Sequence, residues 1–155
     1  MSKIIANSEY AFSIQILFDG DVWSAYSEFR NVAPAGVENA WIATGDVPVL
    51  FRGFVDTLSE PVEICFYENA VSDAPDAVVP YALKRNTSDT TDVTVEDGGT
   101  ITDPGDALVV GCVTVGASPD PLVEFYLEAN TQYLMTVRNV GAANTDIYTR
   151  FFWVG

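Results

Sequence analysis

The stretch that decides the fold class closes the chain: Leu122-Val-Glu-Phe-Tyr-Leu-Glu-Ala-Asn-Thr-Gln-Tyr-Leu-Met-Thr-Val-Arg-Asn-Val-Gly-Ala-Ala-Asn-Thr-Asp-Ile-Tyr-Thr-Arg-Phe-Phe-Trp-Val154. Tyr133, Met135 and Val137 alternate with Leu134, Thr136 and Arg138. Ile147, Thr149, Phe151 and Trp153 alternate with Tyr148, Arg150 and Phe152. Period-two alternation of β-branched and aromatic residues marks half-buried antiparallel strands. Gly141-Ala142-Ala143-Asn144 supplies turn chemistry between them. The final strand is expected to close the domain.

Working outward, the same grammar recurs. Phe12–Phe18 reads as a strand, and Asp19-Gly20-Asp21 is a hairpin signal leading into Val22–Phe29. Further strands are expected at 38–43, 47–55, 62–68, 93–95 and 107–115. The last of these is expected to be buried because its apolar run is continuous. Residues 69–80, rich in Ala, Asp and Pro, and the glycine-rich 96–105 read as exposed loops. No convincing helix, internal repeat or interdomain linker is present. Eight or nine strands at spacings near ten residues predict one all-β domain, an antiparallel β-sandwich of jelly-roll type over residues 12–155, preceded by an N-terminal arm over 1–11. Ile64, Phe66, Val113, Tyr133, Met135, Val137, Phe151 and Trp153 are expected to line the sheet interface.

Composition then removes function classes. With 155 residues, 48% hydrophobic and 12% aromatic, the chain can bury a core and is not disordered. No apolar run reaches the roughly 18 residues of a membrane span, and Met1–Ile5 does not read as a secretory signal, so cytosolic synthesis is expected. The 22 acids against 7 bases give a net charge of −15. Such a polyanion is repelled by nucleic acid and by anionic membranes, so neither is an expected partner. There is no histidine. That removes the usual general base, Ser-His-Asp and Cys-His arrangements, and ordinary zinc sites. A non-enzymatic protein without a metal or other cofactor is expected.

Several residue groups still invite a functional reading. Loop carboxylates pair in sequence (Asp73 with Asp76, Asp89 with Asp92, Glu96 with Asp97, Asp103 with Asp106), as in β-sandwich calcium sites, but none has the twelve-residue calcium-loop spacing, and Asp is an ordinary turn residue. Cys65 and Cys112 lack Cys-x-x-Cys spacing and read as free thiols within strands, with a disulfide as the other possibility. Trp23, Trp41 and Trp153 suit either the core or sugar stacking. Lys84-Arg85-Asn86 is the one local basic cluster and a candidate contact with an acidic neighbour.

The ordered segments Phe66-Tyr67-Glu68, Arg85-Asn86-Thr87-Ser88, Leu127-Glu-Ala-Asn130-Thr-Gln-Tyr133-Leu134 and Phe151-Phe-Trp153 resemble the head decoration, or capsid cement, proteins of tailed bacteriophages. The resemblance covers about residues 47–155 and departs from the family at 71–80 and 116–121. It implies a jelly-roll-like sandwich on the outer surface of an icosahedral phage head, clamping neighbouring copies of the major capsid protein at two-fold or three-fold positions. It implies a virion location and no catalysis. A homo-oligomer, dimer or trimer, is expected to match those axes, because the aromatic supply exceeds what one small core needs. Tyr10 and Phe12 on the arm, with Lys84, Arg85 and Asn86, are the candidate capsid contacts. A tail, baseplate or fibre module and a carbohydrate-binding sandwich are the alternatives. Whatever the partner, the strand pattern predicts a far-ultraviolet circular dichroism spectrum dominated by β-structure; helix above about 20% contradicts it.

Overall fold

The computed structural model describes residues 22–82, 90–117 and 120–154. Among them there are thirteen strands and no helix: β1 (Val22–Val32), β2 (Val37–Ala43), β3 (Val49–Thr57), β4 (Val62–Glu68), β5 (Val71–Asp73), β6 (Asp76–Val78), β7 (Tyr81–Ala82), β8 (Thr94–Asp97), β9 (Thr100–Asp103), β10 (Asp106–Thr114), β11 (Val123–Leu127), β12 (Gln132–Asn139) and β13 (Thr145–Val154). A five-stranded sheet runs β11-β3-β13-β1-β7. A six-stranded sheet runs β10-β4-β12-β2-β8-β6, and β5 pairs with β9 as a small ribbon. Every ladder is antiparallel.

Eight long strands give the topology. β1 pairs with β13, β2 with β12, β3 with β11 and β4 with β10. The pairs nest, first with last and inward, and successive pairs fall in alternate sheets. That is a rolled four-pair ribbon, the jelly roll. β12 and β13 are therefore consecutive without being partners, and residues 140–144 carry the chain from one sheet to the other. Asn139, fully buried, secures this crossing. Its Nδ2 donates to the Val32 and Ala143 carbonyls at 2.9 and 2.8 Å, and its Oδ1 accepts from the Gly141 amide at 2.9 Å.

Alternation does most of the packing. β13 reads buried at Thr145, Ile147, Thr149, Phe151 and Trp153 and half-buried between them. A slip of one residue would invert every one of these positions, so burial fixes register. Phe66 sits at the middle of the inter-sheet core. Its ring stacks on Phe51, Phe125 and Tyr133 at centroid distances of 6.0, 5.6 and 5.7 Å, and Phe51 stacks on Phe151 at 5.5 Å. Ile64, Met135, Val137 and Trp153 join the same cluster, as expected.

Val113 does not. It is 57% exposed, and β10 as a whole is largely exposed rather than buried. The apolar run is real, but among the described residues β10 is the last strand of its sheet, with β4 as its neighbour. Two register shifts, between Ala107 and Val109 and between Val109 and Cys112, throw residues out of the ladder. Gly111 at the second has φ +70°, a backbone that other residues resist.

The two expected loops are also structured. β5, β6, β8 and β9 lie within 69–105, and the β5–β9 ribbon covers the outer face of the six-stranded sheet over a second cluster of Trp41, Ala70 and Leu134, flanked by Tyr67 and Ile101. Trp41 Nε1 donates to the Gly98 carbonyl at 2.8 Å, and Gln132 reaches Ser72 at 3.1 Å. Gly105, φ +74°, is the tightest turn; a Cβ there would collide with the Glu68 carbonyl oxygen. The expected arm at 1–11 and strand at 12–18 lie outside the described residues.

Truncating the central ring opens a void between the sheets, so Phe66→Ala is expected to cost about 3–5 kcal/mol in urea unfolding. A loss below about 1 kcal/mol would contradict its central position.

Candidate functional site

The five-stranded sheet has an outer face unlike a solvated one. Strand alternation places Tyr26 and Glu28 of β1, Tyr148, Arg150 and Phe152 of β13, Arg52, Phe54 and Asp56 of β3, and Glu124 and Tyr126 of β11 on it. The register aligns them in cross-strand rows: Tyr26 with Arg150 and Phe54, Phe152 with Arg52 and Glu124. Tyr26 and Tyr148 stack with centroids 6.2 Å apart. Phe54 meets Phe152 edge-on at 5.7 Å, and the Arg150 guanidinium lies 5.2 Å from the Phe54 centroid. This is where the surplus aromatic residues go.

Arginines concentrate on the same face. Among the described residues the bases are Arg30, Arg52, Arg138 and Arg150, and three of these four lie here. Each meets an acid: Arg30 with Glu28 at 2.8 Å, Arg52 with Glu124 at 3.1 Å, and Arg150 with Asp56 at 2.9 Å. The face is close to locally neutral in a chain of charge −15. Burial, reinforced by the Glu28 carboxylate, raises the Tyr26 hydroxyl pKa above its ordinary value; burial with Asp146 does the same to Tyr148. Tyr126 is 73% exposed at the rim. Tyr and Arg gathered on one sheet face match the residue preferences of protein interfaces.

The sequence-level candidates fare unevenly. Tyr10, Phe12, Lys84, Arg85 and Asn86 lie outside the described residues. The three tryptophans are buried, at 8%, 1% and 0% exposure for Trp23, Trp41 and Trp153, so they pack the protein and do not present rings to a sugar. Trp153 Nε1 donates to Thr91 Oγ1 at 2.9 Å, beside a cavity of about 70 Å³ lined by Gly45, Val47, Val49 and Asp92. Small-molecule sites occupy about 300–1,000 Å³. Cys65 and Cys112 are free thiols; the buried Cys65 accepts from the Gly111 amide at 3.5 Å.

Among the described residues no three His, Cys, Asp or Glu side chains gather closely enough to hold a metal. Asp103 instead accepts from the Gly105 amide at 2.9 Å, an ordinary turn role. The outer aromatic face was missed because alternation was read only for its buried half. The signal was the intervening set Tyr148, Arg150 and Phe152. No protein-family model matches the chain, and no curated protein matches its sequence.

One carboxylate is disfavoured in its charged form. Desolvation, then the neighbouring Asp97, raises the pKa of Glu38 on β2. A raised folded-state value means that the native protein holds this proton more tightly than the unfolded chain. The resulting stability is full below the unfolded value near 4.3 and is lost as pH rises through the folded one. Glu38→Gln is therefore expected to be modestly more stable than wild type at pH 7, with the gain vanishing below about pH 4. Thermal unfolding across that range checks the sign.

Proposed function

We propose that the protein is a capsid decoration protein of a tailed bacteriophage, docking on the outer surface of the head through the outer face of its five-stranded sheet. The observation that carries the docking surface is the coincidence, on one sheet, of five exposed or half-buried aromatic rings with three ion-paired arginines. The jelly-roll sandwich agrees with the resemblance, and the ordered motifs of residues 66–68, 85–88, 127–134 and 151–153 supply its phage context.

The physical logic is linkage. A rigid body that binds across seams of the assembled shell, and not to dispersed subunits, stabilises assembly by its binding free energy. A sandwich loses little conformational entropy on docking. The net charge of −15 favours a partner surface carrying positive charge and keeps the protein away from the packaged DNA. The major capsid protein is the proposed partner. The N-terminal residues Tyr10 and Phe12 and the cluster Lys84, Arg85 and Asn86 are further proposed contacts.

Undecorated capsids provide the test. Wild-type protein is expected to bind them and raise the temperature at which they release DNA. Tyr148→Ala with Arg150→Ala is expected to weaken binding at least about tenfold, about 1.4 kcal/mol. Its folding stability should fall by about 1–3 kcal/mol, because the variant also removes the Tyr26–Tyr148 stack and the Arg150–Phe54 contact, so binding is compared at a temperature where both proteins are folded. Lys84→Glu with Arg85→Glu is the parallel test of the basic cluster. Wild-type protein that leaves capsids unbound, or binds without raising the release temperature, overturns the reading. Binding to isolated tails instead would put the tail module ahead.

A further inference from the structure

The opposite feature of the surface, a strip without charge, lies on β10. From Ala107 to Pro119 the sequence has no Asp, Glu, Lys or Arg, the longest such run in the chain. β10 ends the six-stranded sheet, and among the described residues no strand pairs with its free edge. It exposes Val110 and Val113 at 73% and 57%, with Val115 just beyond the strand at 61%. Such an edge combines unpaired backbone donors and acceptors with apolar side chains, the template for strand addition.

We propose that this edge is a self-association surface, where two copies of the chain pair their β10 strands antiparallel about a two-fold axis. Charge selects the occupant. Two copies of a −15 chain repel one another over most of their surface. The strip from Ala107 carries no charge of its own, so identical acidic molecules can pair along it with their nearest opposed carboxylates, such as Glu63 across the ladder from Val113, set one strand back from the seam. A basic partner gains nothing electrostatic there and is better met by the acidic surface elsewhere. The two register shifts shape the contact. They bend the first half of β10 out of line and leave Cys112, Val113 and Thr114 in regular register with β4. The regular segment is short, which suits a single closed pairing. An antiparallel strand pair about a two-fold is isologous and uses the edge up in both copies, so association stops at two.

The proposal concerns the free protein and does not depend on the capsid reading. Sedimentation equilibrium of the full chain, without capsids, tests it. Wild type is expected to sediment as a dimer at tens of micromolar. Dissociation should weaken as sodium chloride is raised from 0.05 to 0.5 M, about a threefold fall in screening length, because screening relieves the repulsion between acidic copies. Val113→Lys and Val110→Lys should each weaken dimerisation at least about tenfold; since both side chains are exposed, the urea midpoint should be unchanged when measured at concentrations too low for wild type to associate. Of the amides of residues 112–115, the alternate ones that point away from β4 should gain hydrogen-exchange protection with concentration. A monomeric wild type at every salt concentration, a trimer, or lysine variants that dimerise as wild type does each overturn the proposal. Capsid binding by a strictly monomeric protein would overturn it while leaving the decoration reading standing.

Discussion

The stacked rings around Phe66 are the contact on which the rest of the molecule depends. They join β4 and β12 of one sheet to β3, β11 and β13 of the other. No local interaction can substitute for them, because the fold pairs its first described strand with its last. The Asn31 amide of β1, for example, donates to the Asp146 carboxylate of the neighbouring β13, 115 positions away along the chain. Closing loops of that length costs entropy before any strand pairing offsets it. The apolar interface between the sheets must supply the compensation, and its largest pieces are aromatic.

Once the sandwich is closed, its two outer faces are used differently. The six-stranded sheet hides Trp41 and Leu134 under the β5–β9 ribbon, so that part of its outer face is a second small core. The five-stranded sheet instead exposes stacked tyrosines and ion-paired arginines among its described residues. Both faces began with large side chains between the core positions of their strands. The β5–β9 ribbon covers Trp41 and Leu134 on the six-stranded sheet.

Charge adds a second asymmetry. A surplus of acids would make most of the surface alike, yet three of the four described arginines gather on one face and the longest uncharged run lies along one edge. These two departures make different kinds of contact favourable. The aromatic, charge-balanced face suits a large, flat partner. The uncharged edge suits a strand that carries the same acidic body behind it. Their separation on the fold permits both contacts in one assembly.

The sequence by itself determined the sheet class and most of the core, because side chains in a strand alternate with a period that turns directly into inside and outside. Ile64, Phe66, Tyr133, Met135, Val137, Phe151 and Trp153 were legible for that reason. Val113 was not. A continuous apolar run looks the same in a central strand and in an edge strand, and only the number of paired neighbours separates them; among the described residues β10 has one, β4. The candidate site was half legible: the aromatic surplus was visible, but its placement was not. Tyr26, Phe54, Tyr148 and Arg150 become one surface only when β1, β13 and β3 lie side by side, and they come from distant parts of the chain. The tertiary structure alone decided that, since the nested pairing sets which outward residues share a face and, among the described residues, leaves β10 at the end of its sheet.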